Sequence, residues 1–130
     1  MHPFRTAVEA GDIAAASALL ADDVVFTSPV AFKPYPGKPI TSAILHAVFE
    51  VFEDFRYVRE IGADDARDHA LVFEATVDGK ALTGCDFIHV DDDGLIDDFM
   101  VMVRPLSAAQ ALAEQMGARF DDIVRRASAG

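Results

Sequence analysis

The 130 residues carry 22 acidic and 11 basic side chains, a net charge of −11, with 52% hydrophobic residues. That length suits one domain, residues 1–130, with a core of its own, and so apolar a chain is not a disordered one. The charge speaks against nucleic acid and anionic membranes as partners, and the single cysteine, Cys85, excludes an intrachain disulfide.

A cytoplasmic setting is therefore the expectation. No run approaches the roughly 18 apolar residues of a membrane span, and Met1–Arg5 lacks the pattern of a signal peptide. In chain order, residues 3–10 read as a short helix with Phe4 and Val8 on one side, ended by Gly11. Asp12 caps a second helix carrying Ile13, Ala16, Leu19 and Leu20. A strand follows at 24–27. Pro29, Pro34, Pro36, Gly37 and Pro39 then predict a constrained loop. Thr41 or Ser42 starts an apolar helix through Phe52. Strands are expected at about 54–61, 69–77, 81–91 and 95–104. Asp78-Gly79 makes a two-residue hairpin, and Asp92-Asp93-Gly94 turns the chain into the last strand. Ser107 caps a final helix with Leu112, Met116, Phe120 and Ile123 at helical spacing, and residues 126–130 fray. Helices at one end and a meander at the other predict an α+β fold, helices on one face of a curved sheet.

One aspartate stands where a carboxylate should not. In Leu82–Val90, Asp86 shares alternation parity with Leu82, Gly84, Ile88 and Val90, so it points with the apolar set. A buried carboxylate is costly unless it is paired, protonated or facing a polar cavity. With Asp78-Gly79 as the turn, Leu71 lies opposite Asp86, and Phe73 and Ala75 share its face. The next hairpin leaves two registers open. One puts Phe99, Val101 and Val103 on that face; the other puts Met100 and Met102 there. The outer face holds Val72, Glu74, Thr76, Thr83, Cys85, Phe87 and His89, apolar enough to predict a homodimer interface.

Leu19–Phe26, Ser28-Pro29, Pro36–Ile40 and Asp93–Ile96, in that order and spacing, resemble the NTF2-like superfamily, closest to its SnoaL-like polyketide cyclase group, over about residues 3–105. The resemblance implies a cone: a curved mixed or antiparallel sheet wrapped around a long helix with an apolar cavity between, here with an extra C-terminal helix. It also implies that Asp86 falls where ketosteroid isomerases keep a protonated aspartic acid in the oxyanion hole. The partner tyrosine of that hole falls at about Phe4, which cannot donate a hydrogen bond, and the general base at about Ser28, a poor base at neutral pH. The epoxide hydrolases of the superfamily need an arginine where Gly84 stands and a second aspartate at about Val101. SnoaL-type cyclisation needs mainly one acid/base carboxyl, which Asp86 supplies.

Three readings result. The first is a protein that binds a small apolar molecule in a cavity lined by Phe4, Phe26, Ser28, Tyr35, Val48, Phe52, Tyr57, Phe73, Ile88, Phe99, Val101 and Val103. The second is an isomerase, cyclase or hydrolase of a hydrophobic carbonyl compound with Asp86 as its acid/base. The third is a dimerising accessory module with a filled core, in which Asp86 merely bonds a backbone group or a tyrosine. No cofactor is implied. His2, His46, His69 and His89 lack ligand spacing, and Asp91–Gly94 fails the EF-hand pattern, since His89 and Met100 would fall at ligand positions. Cys85, facing away from Asp86, reads as an inert thiol.

Overall fold

The computed structural model describes residues 1–129. Helices α1 (Pro3–Glu9) and α2 (Ile13–Ala18) lead into β1 (Leu20–Thr27) and a two-residue β2 (Tyr35–Pro36). Helix α3 (Lys38–Val51) follows, then β3 (Glu53–Ile61), β4 (Asp68–Val77), β5 (Lys80–Val90) and β6 (Ile96–Arg104), and finally α4 (Leu106–Ala118) and α5 (Phe120–Ala129). The six strands form one curved sheet in the order β2-β1-β6-β5-β4-β3. β1 runs parallel to β6; every other neighbour is antiparallel. The helices cover its concave face. Phe4 from α1, Ile44 and Leu45 from α3, Phe73 and Ile88 from the sheet and Leu112 from α4 share one buried core.

The local chemistry explains each boundary. Pro3 occupies the first turn of α1, where its missing N–H costs nothing, and His2 Nδ1 accepts from Phe4 N at 3.0 Å. Asp12 caps α2 through Ala15 N at 3.0 Å. Asp78 (φ 51°) and Gly79 (φ 74°) form the two-residue hairpin between β4 and β5. Asp91 Oδ1 accepts from the amides of Asp93 and Leu95, both at 2.9 Å, holding the last turn.

Several expectations are corrected. Leu20 leaves the helix for β1 because it pairs with Ile96, and Ile96 N bonds Leu19 O at 2.8 Å. Sheet pairing overrides helical spacing there. Helix α3 starts at Lys38, before Thr41 or Ser42. Gly37 at φ 101° turns the chain into it, and Pro39 is accommodated in the first turn. The final helix is two. It breaks at Arg119, and Pro105, not Ser107, precedes its first turn. Residues 126–129 are helical rather than frayed; Gly130 lies outside the described residues.

The hairpin register places Leu71 opposite Asp86 and Phe73 opposite Gly84. Across β5–β6, Asp86 faces Val101, Ile88 faces Phe99 and Gly84 faces Val103, so Met100 and Met102 point outward. Gly84 is required for steric reasons, since a Cβ there would lie 2.3 Å from Phe73 Cζ. The Phe73 ring lies across β5 at that point, fully buried against Phe52, Phe55 and Tyr57. Gly84→Ala should therefore cost about 1–3 kcal/mol in chemical denaturation. The same change in a Phe73→Leu background should cost less, because the two sites share one space.

Candidate functional site

Asp86 lies midway along β5, flanked by Leu71 and Val101 on the neighbouring strands, and is only 5% exposed. Tyr57 Oη donates to Asp86 Oδ2 at 2.9 Å. The tyrosine reaches that oxygen because β3 is irregular. Its register with β4 shifts between Tyr57 and Arg59, and again between Glu53 and Arg56. Such bulges bend a strand and re-aim its side chains. Tyr57 is the one buried residue of β3. Behind it, the Arg5 guanidinium stands 5.8 Å from the ring centroid, held by Glu9 at 3.3 Å and Glu60 at 3.4 Å.

Burial raises the Asp86 carboxyl from the ordinary 3.8 to about 7, and the Tyr57 hydrogen bond pulls the other way. Tyr57 itself is pushed well above 10, chiefly by burial and then by the Asp86 charge beside it. Among the described residues nothing bonds Asp86 Oδ1. The carboxyl borders a cavity of about 280 Å³ whose walls are otherwise almost entirely apolar. Near neutrality Asp86 is therefore poised between two forms. Neutral, it can donate one hydrogen bond into the cavity; ionised, it accepts one.

Of the residues expected around this space, Phe4, Phe26, Ser28, Tyr35, Val48, Phe52, Phe73, Phe99 and Val101 line it together with Asp86. Tyr57, Ile88 and Val103 do not. Tyr57 is turned to Asp86 Oδ2 and fills the ground behind it, packed on Phe55 and Phe73. Ile88 shares the inward face but is sealed in the core beside Phe99. Val103 lies at the end of β6 that leads into α4, which packs over that end of the sheet. Ser28 Oγ is engaged in its own turn, accepting from Val30 N at 3.1 Å and Ala31 N at 3.3 Å.

Sequence reasoning missed two walls. Phe49 and Phe55 join Phe52 and Phe73 in an aromatic cluster with centroid separations of 4.9–6.3 Å. Phe55 opens β3, where irregular register hides its facing. The second missed wall comes from α4 and α5, through Leu112, Met116, Gly117 and Phe120. Their helical spacing was visible, but nothing in it told cavity from core. Elsewhere His89 Nδ1 pairs with Asp97 at 2.6 Å on the outer face, which raises the His89 pKa. Among the described residues no three His, Cys, Asp or Glu side chains converge as metal ligands would. Cys85 is half-buried on the outer face, and burial pushes its thiol up.

The Asp86 shift makes stability pH-dependent with a definite sign. Between about pH 4 and pH 7 the folded chain holds a proton that the unfolded chain has released, so stability falls as pH rises through that window. Three units at 1.36 kcal/mol each put the effect on the order of 4 kcal/mol. Asp86→Asn should flatten the decline, measured as melting temperature from pH 4 to 8. In Tyr57→Phe the carboxyl loses the hydrogen bond that lowers it and should titrate higher still, read from the carbonyl-stretch infrared band.

The model of the SnoaL-like domain matches residues 2–99. A crystal structure described as a steroid delta-isomerase from Pseudomonas aeruginosa is 46% identical at a TM-score of 0.84, covering 92% of this chain and 88% of that one. A protein with a cystatin-like fold from Silicibacter pomeroyi is 38% identical, also at 0.84, covering 92% and 86%. An NTF2-like protein from Cytophaga hutchinsonii shares the fold at 19% identity and a TM-score of 0.59, covering 79% and 85%. No curated protein matches the chain. The match over residues 2–99 shows that the chain belongs to the SnoaL-like domain family, with a fold shared by the NTF2-like protein.

Proposed function

We propose that this protein binds a small, uncharged, hydrophobic molecule bearing one carbonyl or hydroxyl oxygen, seated in the cavity beside Asp86. The observation that carries the reading is the asymmetry of that carboxyl. Tyr57 holds one oxygen, and the other has no protein partner beside an apolar space. An apolar ligand would gain by burial, roughly 25 cal/mol per Å² removed from water, and Asp86 would orient it. A ligand carbonyl needs the neutral acid as donor. Its affinity should therefore fall as pH rises through about 7, because the proton it uses is lost there. Titrating the enone 2-cyclohexenone and larger ketones by calorimetry at pH 6 and pH 8.5 checks this. Asp86→Ala should abolish the pH dependence and weaken binding about tenfold, the weight of one good hydrogen bond.

A second reading, catalysis, is favoured by the likeness to the Pseudomonas aeruginosa protein described as a steroid delta-isomerase. Moving a double bond into conjugation with a ketone requires removal of a proton beside the carbonyl and stabilisation of the resulting enolate oxygen. Among the described residues Asp86 is the one carboxyl on the cavity wall, so it would serve one of these two roles. The other side-chain hydroxyls on that wall are Ser28, whose oxygen already accepts two backbone N–H groups, and Tyr35 of β2; neither is a good base at neutral pH. Binding without turnover is the reading this arrangement supports best. Ultraviolet absorbance of a conjugated enone, formed from a β,γ-unsaturated ketone, separates the two; turnover lost in Asp86→Asn would establish the enzyme.

The working unit we propose is a homodimer joined through the outer sheet face, where Phe87 is 38% and Met102 54% exposed beside Met100 and Cys85. Stable homodimers commonly bury about 2,000 Å² or more in total. Phe87→Glu should halve the mass seen by light scattering; a monomeric wild type at micromolar concentration removes the proposal.

A further inference from the structure

The family match ends at residue 99, yet a large part of the cavity wall lies beyond it. The matched segment provides the acid and the aromatic floor. The corner between α4 and α5 provides closure, through Leu112, Met116, Gly117 and Phe120. Two of these residues have properties that core packing does not explain. Gly117 is the next-to-last residue of α4, and its φ is not positive, so the helix end does not call for glycine through backbone strain. Gly117 is exposed and a Cβ built on it meets nothing within 4 Å, so its smallness leaves the cavity mouth open rather than relieving a clash. Phe120 begins α5; it lines the cavity and is also 43% exposed. A large aromatic that borders both cavity and solvent stands at a rim. Val30, 41% exposed on the loop between β1 and β2, shares both properties.

The chain breaks helix at Arg119, Ile123 is the buried anchor of α5, and its Arg126–Glu50 ion pair is exposed at 4.0 Å. The cavity, open at that rim, holds about 280 Å³, at the low end of the roughly 300–1,000 Å³ of drug-sized sites.

Resting on the binding reading above, we infer that the α4–α5 corner, Gly117 and Phe120 above all, is a size filter: it admits compact ligands of one or two fused rings with one oxygen acceptor and turns away four-ring skeletons. Both stand at the rim: Gly117 leaves it open on one side and Phe120 narrows it. Enlarging the rim should admit longer molecules, and filling the glycine gap should reject even short ones. Asp86 and Tyr57 would be untouched by either change.

Calorimetric titration with 2-tetralone, a bicyclic ketone, and progesterone, a four-ring ketone, tests this at pH 6. Wild type should bind 2-tetralone at least about tenfold more tightly than progesterone. Phe120→Ala should erase that preference by gaining progesterone, and Gly117→Leu should weaken 2-tetralone about tenfold while far-ultraviolet circular dichroism stays native. Val124→Ala, exposed on α5 and off the cavity wall, should change neither. If wild type binds both ketones equally, or binds 2-tetralone with affinities that Phe120→Ala and Gly117→Leu leave unmoved, the filter is wrong and the binding site stands. If wild type binds neither ketone and Phe120→Ala binds neither, the binding reading fails and takes the filter with it.

Discussion

The inward placement of Asp86 depends on the register of β4 against β5, set by the two residues Asp78 and Gly79. Both have positive φ, the geometry of a tight hairpin whose twist agrees with that of its strands. From that turn Val77 meets Lys80, Phe73 meets Gly84 and Leu71 meets Asp86. A slip of one residue would turn Asp86 to the outer face and bring Cys85 and Phe87 inward. The contact between Phe73 and Gly84 works against such a slip. Only a residue without a Cβ leaves room for that ring, and only at that pairing.

Holding Asp86 inward has an electrostatic cost, which the surroundings offset only in part. One hydrogen bond from Tyr57 is less than a buried carboxylate needs, so the group lies close to neutrality rather than firmly charged. A second donor or a nearby arginine would have fixed it as an anion. Arg5 is near but engaged by Glu9 and Glu60, with Tyr57 between it and the acid. The site is thus tuned by what is withheld from it as much as by what surrounds it.

How far the sequence could be read followed from which interactions are local. The Asp78-Gly79 hairpin, the inward facing of Asp86 and the loop up to Pro34 rest on turn chemistry and alternation within a few residues, and these were legible; Tyr35–Pro36, expected as loop, pair with β1 instead. Leu20 was not legible, because its strand exists only through pairing with Ile96, far along the chain. Lys38 and Pro39 look like loop because proline is a breaker everywhere except in a helix's first turn, which is where they sit. Tyr57 could be placed on β3 but not aimed, since bulges on both sides of it break alternation. Between Phe99 and Met100 as the inward residue the turn allowed both registers, and pairing chose Phe99. Burial alone could not say which apolar residues enclose a space and which fill one, so the cavity wall from α4 and α5 was invisible.

The parallel pairing of β1 with β6 also governs how the molecule comes into being. β1 is made early, but its ladder partner is the last strand, with Val25 beside Asp98 and Phe26 beside Phe99. During synthesis β1 and β2 have no sheet to join until β6 has emerged. The hairpin of β4 and β5, complete at Val90, can form by itself without waiting for β6, since its contacts are local. The apolar inner surface of Val24 and Phe26 must therefore wait uncovered, or be sheltered by α1 and α2, while most of the chain is still being made. A fold closed by its first and last strands is completed from its edges inward, and a nascent chain stopped short of β6 would be a target for chaperones rather than a smaller version of the domain.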